Sequence, residues 1–323
     1  MISKIQSGPI INKPIIDSND RNISQLQHTF SIKRTRKALP LEIIEKLKTA
    51  LPLMKKVTLE AGKMATEYRK NGDIKYELKS DGSKVTKEER AIQRFILNQL
   101  LNKFSNFGIY AEEMLDGALT LKFNENINSP YKWVIDPIDG TSNFVRKDRD
   151  CFGPAIGLVY ENEFVAVVFY APEYKIDGEQ GVFIEASELE DSVYLNGKKV
   201  FMDPSKEDFK NREILLDNYP ALEPIALNTR NFIQSYLIKS SSLSLSLVSS
   251  GKEDKPVLLE SKGSKIWDAV GFYLVEKAGG VVWNKNGNFI FPLTNKSFNP
   301  KTSTIEEHFF AGYPNAIREL LGR

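Results

Sequence analysis

A single cysteine, Cys151, and only two histidines, His28 and His308, leave this chain of 323 residues poor in nitrogen and sulfur ligands. One thiol cannot close an intramolecular disulfide, which fits a reducing compartment. Neither histidine stands near Glu112-Glu113, Asp136, Asp139 or Asp268 in the sequence, so neither a His nucleophile nor a His-rich zinc site is expected. No apolar run reaches membrane-spanning length, and residues 1–31 contain no continuous apolar stretch of the signal-peptide kind. Charge of neither sign dominates: 44 Lys and Arg face 42 Asp and Glu. Nothing in that balance demands nucleic acid or a membrane surface as partner. A cytoplasmic protein is expected.

What the chain does have is an ordinary globular composition, 41% hydrophobic and 27% charged, enough for a sizeable core in one large domain or two. Residues 1–38 stand apart. Gly8, Pro9 and Pro14 interrupt any pattern there, and Lys33-Arg34-Thr35-Arg36-Lys37 forms a basic cluster. A solvated, mobile extension is expected, with docking to an anionic partner as the other use of such a cluster. Apolar spacing predicts helices over 41–51 and 53–68, broken near Pro52. Thr86 and Glu89 have the form of a capping box, followed by Ile92, Phe95, Ile96, Leu100 and Phe104 at helical intervals. Residues 155–160 and 164–170 read as paired strands, and Asn196-Gly197 as a tight turn. Residues 203–213 are polar and read as a link between two halves. A helix over 266–278 is expected to end at Gly279-Gly280, with a strand resuming at Val281.

The most informative stretch is Trp133-Val-Ile-Asp136-Pro137-Ile138-Asp139-Gly140-Thr141. Two carboxylates three residues apart end a strand-like run, followed by a Gly and a hydroxyl. Asp136 would leave the strand edge and Asp139 would follow one turn later. Both could then face a pair of hard cations, which in two-metal sites lie about 3.5–4 Å apart. An Asx-rich turn entering a helix would use the same residues. The oxygen-rich donor inventory favours Mg²⁺, with Mn²⁺ as a substitute.

The company of this motif narrows the reading. Upstream stand Lys79-Ser-Asp81-Gly-Ser-Lys-Val85-Thr86-Lys-Glu88-Glu89 and Ala111-Glu112-Glu113; downstream stand Trp267-Asp268-Ala269 and Glu276-Lys-Ala-Gly279-Gly280. In this order the four segments, spread over residues 53–315, resemble the inositol monophosphatase family of Mg²⁺-dependent phosphatases. Other phosphatase chemistries do not match. The DxD of haloacid-dehalogenase-type enzymes allows one residue between its aspartates, where Pro137 and Ile138 make two. A cysteine phosphatase needs Arg six positions after its Cys, where Gly157 follows Cys151.

The resemblance implies an α+β fold of the layered α-β-α-β-α sugar-phosphatase type shared with fructose-1,6-bisphosphatase. It also implies residues 39–202 as an N-terminal half holding the metal site, 203–323 as a C-terminal half completing it, a homodimer, and sensitivity to Li⁺. By motif, Glu112, Asp136 and the Ile138 carbonyl would hold one Mg²⁺, and Asp136, Asp139 and Asp268 a second. Glu113 would act behind these or, through water, at a third. Thr141 and Glu89 would orient the attacking water, and the amides of Gly140 and Thr141 would receive phosphate oxygens. Ser240, Ser241, Glu260 and Asp268 would contact the rest of a small phosphorylated substrate.

Three departures qualify this pattern. Glu89 stands where the family has Asp, and an extra methylene shifts a carboxylate on the scale that can cost about 100-fold in rate. Lys239 replaces a Gly before Ser240, and the spacing from Glu260 to Trp267 is one residue longer. Lys239, Lys262 and Lys265 would suit a substrate with a second phosphate. The activity expected is phosphomonoester hydrolysis on a small polyol or nucleotide phosphate, with a 3′(2′),5′-bisphosphate nucleotidase as the alternative within the family. A catalytically weak member acting as an interaction protein is the alternative outside enzymology. Asp268 capping the helix after it, and Glu112 and Glu113 as solvated loop acids, are the simpler roles open to those residues.

Overall fold

Ile43, Leu47, Ala50, Met54, Val57, Ala61 and Ala65 recur every three or four residues and are all buried, which defines one face of a 31-residue helix, α1 (Leu41–Asn71). The computed structural model describes residues 36, 38–80, 82–113, 126, 128–216, 227–235, 238–251, 254–260, 263–294 and 296–323, the side chains of Ser235 and Glu260 excepted. The two helices expected on either side of Pro52 are thus a single one. Pro52 is exposed, and the apolar face runs past it from Ala50 to Met54. Burial on both sides holds the turn that has lost a backbone hydrogen bond.

A two-stranded ribbon follows, β1 (Tyr76–Leu78) and β2 (Lys84–Thr86). The expected capping box then starts α2 (Lys87–Lys103): Thr86 accepts the Glu89 N–H, and Glu89 accepts the Thr86 N–H. Strands β3 (Gly108–Ala111), β4 (Tyr131–Asp139), β5 (Gly153–Tyr160), β6 (Glu163–Ile176), β7 (Glu179–Ser187), β8 (Val193–Leu195) and β9 (Lys198–Val200) form a seven-stranded sheet in chain order. Only β3 runs parallel to its neighbour β4. A five-residue helix, α3 (Thr141–Val145), separates β4 from β5. The expected turn between β5 and β6 uses Glu161 and Asn162, both at positive φ (45° and 69°), the backbone that matches strand twist in a two-residue hairpin.

A second sheet takes the order β11-β10-β12-β16-β13, from β10 (Arg212–Leu216), β11 (Phe232–Ser235), β12 (Val257–Glu260), β13 (Val281–Asn284) and β16 (Phe309–Gly312). A small ribbon, β14 (Phe298–Asn299) with β15 (Thr304–Ile305), lies between β13 and β16 in the chain. Leu243, Leu245 and Leu247 alternate with serines as in a strand, yet lie on a helix, α4 (Ser241–Ser249). Every residue of α4 is buried, so the serines fill sites where a large side chain has no room, and Ser246 and Ser249 return their hydroxyls to helix carbonyls. The helix expected over 266–278 is shorter. Residues 266–271 form successive tight turns, with bonds such as Ala269 N–H to Ile266 O at 3.2 Å and Phe272 N–H to Ala269 O at 3.1 Å, and α5 covers only Phe272–Ala278. Gly279, left-handed at φ 108°, ends it, and Gly280 donates back to Val275. The last helix is α6 (Pro314–Leu320).

Helices α1 and α2 cover one face of the first sheet. Helices α4 and α5 lie between the two sheets, and α6 packs on β16 of the second. This is the layered α-β-α-β-α arrangement the sequence resemblance implied. Of the basic cluster at 33–37 only Arg36 lies within the described residues, and it is not solvated. Its guanidinium reaches Glu188 at 2.9 Å, Glu276 at 2.7 Å and the Phe164 carbonyl at 3.1 Å, over the ring of Tyr273. It joins β6 and the end of β7 to α5.

Because Pro52 sits on the exposed side of α1, Pro52→Ala should restore one helical bond and raise stability in urea unfolding by about 1–2 kcal/mol. An unchanged or lowered midpoint would contradict this placement.

Candidate active site

Strand β4 delivers its motif through a defect in the sheet. Asp136 pairs with Ala155 and Asp139 with Gly153, so Pro137 and Ile138 oppose the single residue Pro154. Such a bulge bends the strand end, and it tolerates Pro137, which has no N–H for the ladder. Asp136 Oδ1 accepts the Ile138 N–H at 3.0 Å, which fixes that carboxylate against its own turn. Gly140 follows at φ 88°, where a Cβ would lie 2.5 Å from the Cys151 carbonyl oxygen. No side chain fits there.

Around this bulge the chain gathers acids from three other segments. Glu112, just past β3, donates its N–H to Ile135 O at 3.1 Å. Glu113 is clamped by Gln93 of α2, whose amide group gives and receives a backbone hydrogen bond, each at 2.9 Å. Lys79 reaches both acids, 2.9 Å from Glu112 and 2.8 Å from Glu113. Glu89 divides its carboxylate: Oε2 accepts the Thr86 N–H at 2.6 Å, and Oε1 accepts the Thr141 hydroxyl at 2.5 Å. Capping and contact with the site therefore coexist in one side chain. Asp139 Oδ2 accepts both the Ser240 hydroxyl at 2.7 Å and the Ser242 N–H at 2.6 Å. Asn143 of α3 binds Ile238 O at 2.7 Å and Lys239 O at 3.3 Å, pinning the segment before α4. Asp268 accepts the Lys265 N–H at 2.8 Å.

Burial makes this crowd electrostatically unstable by itself. Asp136 is 2% exposed. Burial, then the fields of Glu112, Asp139 and Asp268, hold its carboxyl far above the usual range, and a carboxyl–carboxyl hydrogen bond to Glu112 adds to this. Burial also pushes Asp139 to about 6, against its bonds from Ser240 and Ser242. Burial and the field of Glu112 push Glu89 to about 8. Glu113 rises for the same two reasons. Burial opposes the Lys79 ammonium, but Glu112 and Glu113 outweigh it and keep it charged. Among the described residues no three acidic, His or Cys side chains close on one point as a finished coordination shell. The crowding of Glu112, Asp139 and Asp268 about the buried Asp136 nevertheless marks where a cation would relieve repulsion. An all-oxygen donor set around Asp136 suits a hard divalent ion.

The structure thus brings together Glu89, Glu112, Glu113, Asp136, Ile138, Asp139, Gly140, Thr141, Ser240, Ser241 and Asp268. Asp268 does not cap the following helix, since the N-cap of α5 is Gly271. Glu260 ends β12 opposite Phe309, with its side chain outside the described residues, as are Asp81 and Lys262. Three residues were not singled out from the sequence: Lys79, Gln93 and Asn143. Lys79 stands inside a motif already noted and offered a signal there, and Asn143 follows two residues after the motif that ends at Thr141. Gln93 offered none beyond its place on the buried face of α2.

A model of the inositol monophosphatase family matches residues 46–316. The chain belongs to that family. Membership makes it a phosphatase. A 3′(2′),5′-bisphosphate nucleotidase, CysQ of Haemophilus influenzae, is 25% identical over 264 residues, covering 78% of this chain and 88% of its own. Among solved structures, the extragenic suppressor protein suhB of Bartonella henselae superposes with a TM-score of 0.64 at 19% identity, covering 85% of this chain and 97% of its own. An inositol monophosphatase/NADP phosphatase complexed with Mg²⁺ and phosphate superposes with a TM-score of 0.59 at 19% identity, covering 85% and 92%. The family's fold is therefore this chain's fold. Among the described residues no helix is long and apolar enough to cross a membrane.

The raised carboxyls set a pH dependence. In the cation-free fold they keep protons that the unfolded chain releases above about 4.5, and Glu89 keeps its own to about 8. Their contribution to stability is therefore present at low pH and is lost as pH rises through that window. The melting temperature of EDTA-treated protein should fall between about pH 5 and 8, and Mg²⁺ should raise it by more at the upper end, by about 3 °C or more. Equal Mg²⁺ shifts at both ends, measured by differential scanning fluorimetry, would contradict the assignment.

Proposed function

We propose that this phosphatase is a Mg²⁺-dependent phosphomonoesterase that hydrolyses a small phosphorylated metabolite by direct attack of water on phosphorus. The observation that carries the proposal is the buried acid cluster of Asp136, Glu112, Asp139 and Asp268 beside a hydroxyl–carboxylate pair, Thr141 and Glu89. Mg²⁺ held by Glu112, Asp136, the Ile138 carbonyl, Asp139 and Asp268 would neutralise the phosphate oxygens and make water more acidic. Two ions, with a third at Glu113, agree with the donor count, and Mn²⁺ would substitute.

The chain's own groups would supply the rest. Thr141 gives its proton to Glu89, which leaves its oxygen to accept a proton from an incoming water. A base that titrates near neutrality is well matched to that transfer. As water adds to phosphorus, its proton would pass to Thr141 and the Thr141 proton to Glu89; the ester P–O bond would break, the leaving oxygen taking a proton from a solvent water and Glu89 returning its own to solvent. The amides of Gly140 and Thr141, at the start of α3, would receive phosphate oxygens. Ser240, Ser241, Glu260 and Asp268 would line the substrate's other side. Glu89 reaches both its partners, which supports an active enzyme over a decayed, purely interacting relative. The family likeness supports a cytoplasmic homodimer inhibited by Li⁺.

Two variants test this. Phosphate release should require Mg²⁺ and vanish in Asp136→Asn. Glu89→Asp, although it restores the residue usual in the family, shortens the arm that spans Thr86 and Thr141, and it should lower kcat about 10- to 100-fold. A gain of activity in Glu89→Asp would mean that Glu89 is a defect and that the geometry described for it is not the working one.

A further inference from the structure

We infer that a basic cavity beside the segment after α3 is a second anion site, suited to a small, wholly hydrophilic polyanion of the pyrophosphate type. It shares no residue with the acid cluster, and it stands independently of the phosphatase reading. The cavity measures about 410 Å³, within the range that holds small ligands. Its walls come from the end of α1, the segment after α3, and the paired strands β6 and β7.

Four cations line it, Arg69, Lys70, Lys147 and Lys175, against two carboxylates, Asp150 and Glu173. Part of this wall is fixed before any ligand arrives. Arg69 is 6% exposed; its guanidinium donates to Glu173 at 2.5 Å and to Arg146 O at 2.8 Å, over the ring of Phe152. Glu173 is thereby offset, and Asp150 lies 3.9 Å from the same guanidinium.

The charge left over is positive. Lys70 and Lys175 are exposed, and among the described residues neither ammonium meets a carboxylate. Lys147 leans on Asp73 at 2.9 Å, a pair 58% and 91% exposed, which an anion can displace at little cost. Gln180, the cross-strand partner of Lys175, adds a neutral amide. Ammonium groups on separate elements around one cavity repel each other, and a polyanion between them turns that repulsion into attraction. No aliphatic or aromatic side chain lines the cavity, so neither a nucleobase nor a lipid chain would find apolar surface there.

The segment that contributes Lys147 and Asp150 also touches the active site. Cys151 O accepts the Asn143 Nδ2 hydrogen at 2.7 Å and lies 2.5 Å from where a Cβ on Gly140 would stand. The second site therefore adjoins the catalytic turn.

The test titrates pyrophosphate into EDTA-treated, full-length protein by calorimetry at low ionic strength. Without a cation the acid cluster repels anions, so the titration reads the basic cavity alone. One pyrophosphate should bind per chain. Lys70→Gln and Lys175→Gln should each weaken it about three- to tenfold, and together about tenfold or more. Asp136→Asn, and Lys285→Gln at an exposed lysine outside the cavity, should leave affinity within about twofold. No binding to the wild type, an equal loss in Lys285→Gln, or a tenfold change in Asp136→Asn would overturn the inference. Adenosine diphosphate binding about tenfold tighter than pyrophosphate would overturn the ligand class.

Discussion

Mutual repulsion among carboxylates buried at one bulge is the constraint on which the rest of the structure turns. Asp136 is almost fully enclosed and faces Glu112, Asp139 and Asp268. Left to water, such groups would separate; here three chain segments force them together. Each neighbour is then arranged to make the crowding bearable. Lys79 offsets Glu112 and Glu113, two donors quiet Asp139, and Thr141 and the Thr86 amide share Glu89. Divalent cations complete this balance in the function proposed above.

The same contacts join the two sheets. Asp139, at the end of β4 in the first sheet, takes its donors from Ser240 and Ser242 at the start of α4. Asn143 reaches the two residues before them. Val270, two residues after Asp268, lies where a Cβ on Gly157 of β5 would come within 2.7 Å, so a glycine in that strand lets the Asp268 turn sit against the sheet. Arg36 adds a second tie from the far side, through Glu276 of α5 and Glu188 after β7. Site and interlayer packing are therefore one feature seen from two directions.

Much of the site was legible because its signals are local. The capping box links Thr86 to Glu89 three residues on, and Pro137 and Gly140 mark the turn chemistry after Asp136, although the strand continues to Asp139 through a bulge that the sequence does not announce. The layered fold was legible through the order of four such motifs, whose physics is carried by the residues themselves. What was not legible depended on distant burial. Pro52 reads as a break until the unbroken apolar face of α1 is seen against the sheet. Residues 266–271 carry helical spacing, yet tight turns win there because Asp268 folds back onto the Lys265 amide. Arg36 looked like part of a solvated cluster because its carboxylate partners lie more than a hundred residues away. Gln93 gave no sign that it would clamp Glu113.

The central claim is that the acids around Asp136 form a divalent-cation site. Anomalous diffraction from crystals grown with Mn²⁺ tests it most directly. The account predicts anomalous peaks in contact with Asp136, flanked by Glu112 on one side and by Asp139 and Asp268 on the other, and their loss in Asp136→Asn. Well-ordered crystals with no peak at Asp136, or with Mn²⁺ bound only elsewhere, would contradict it.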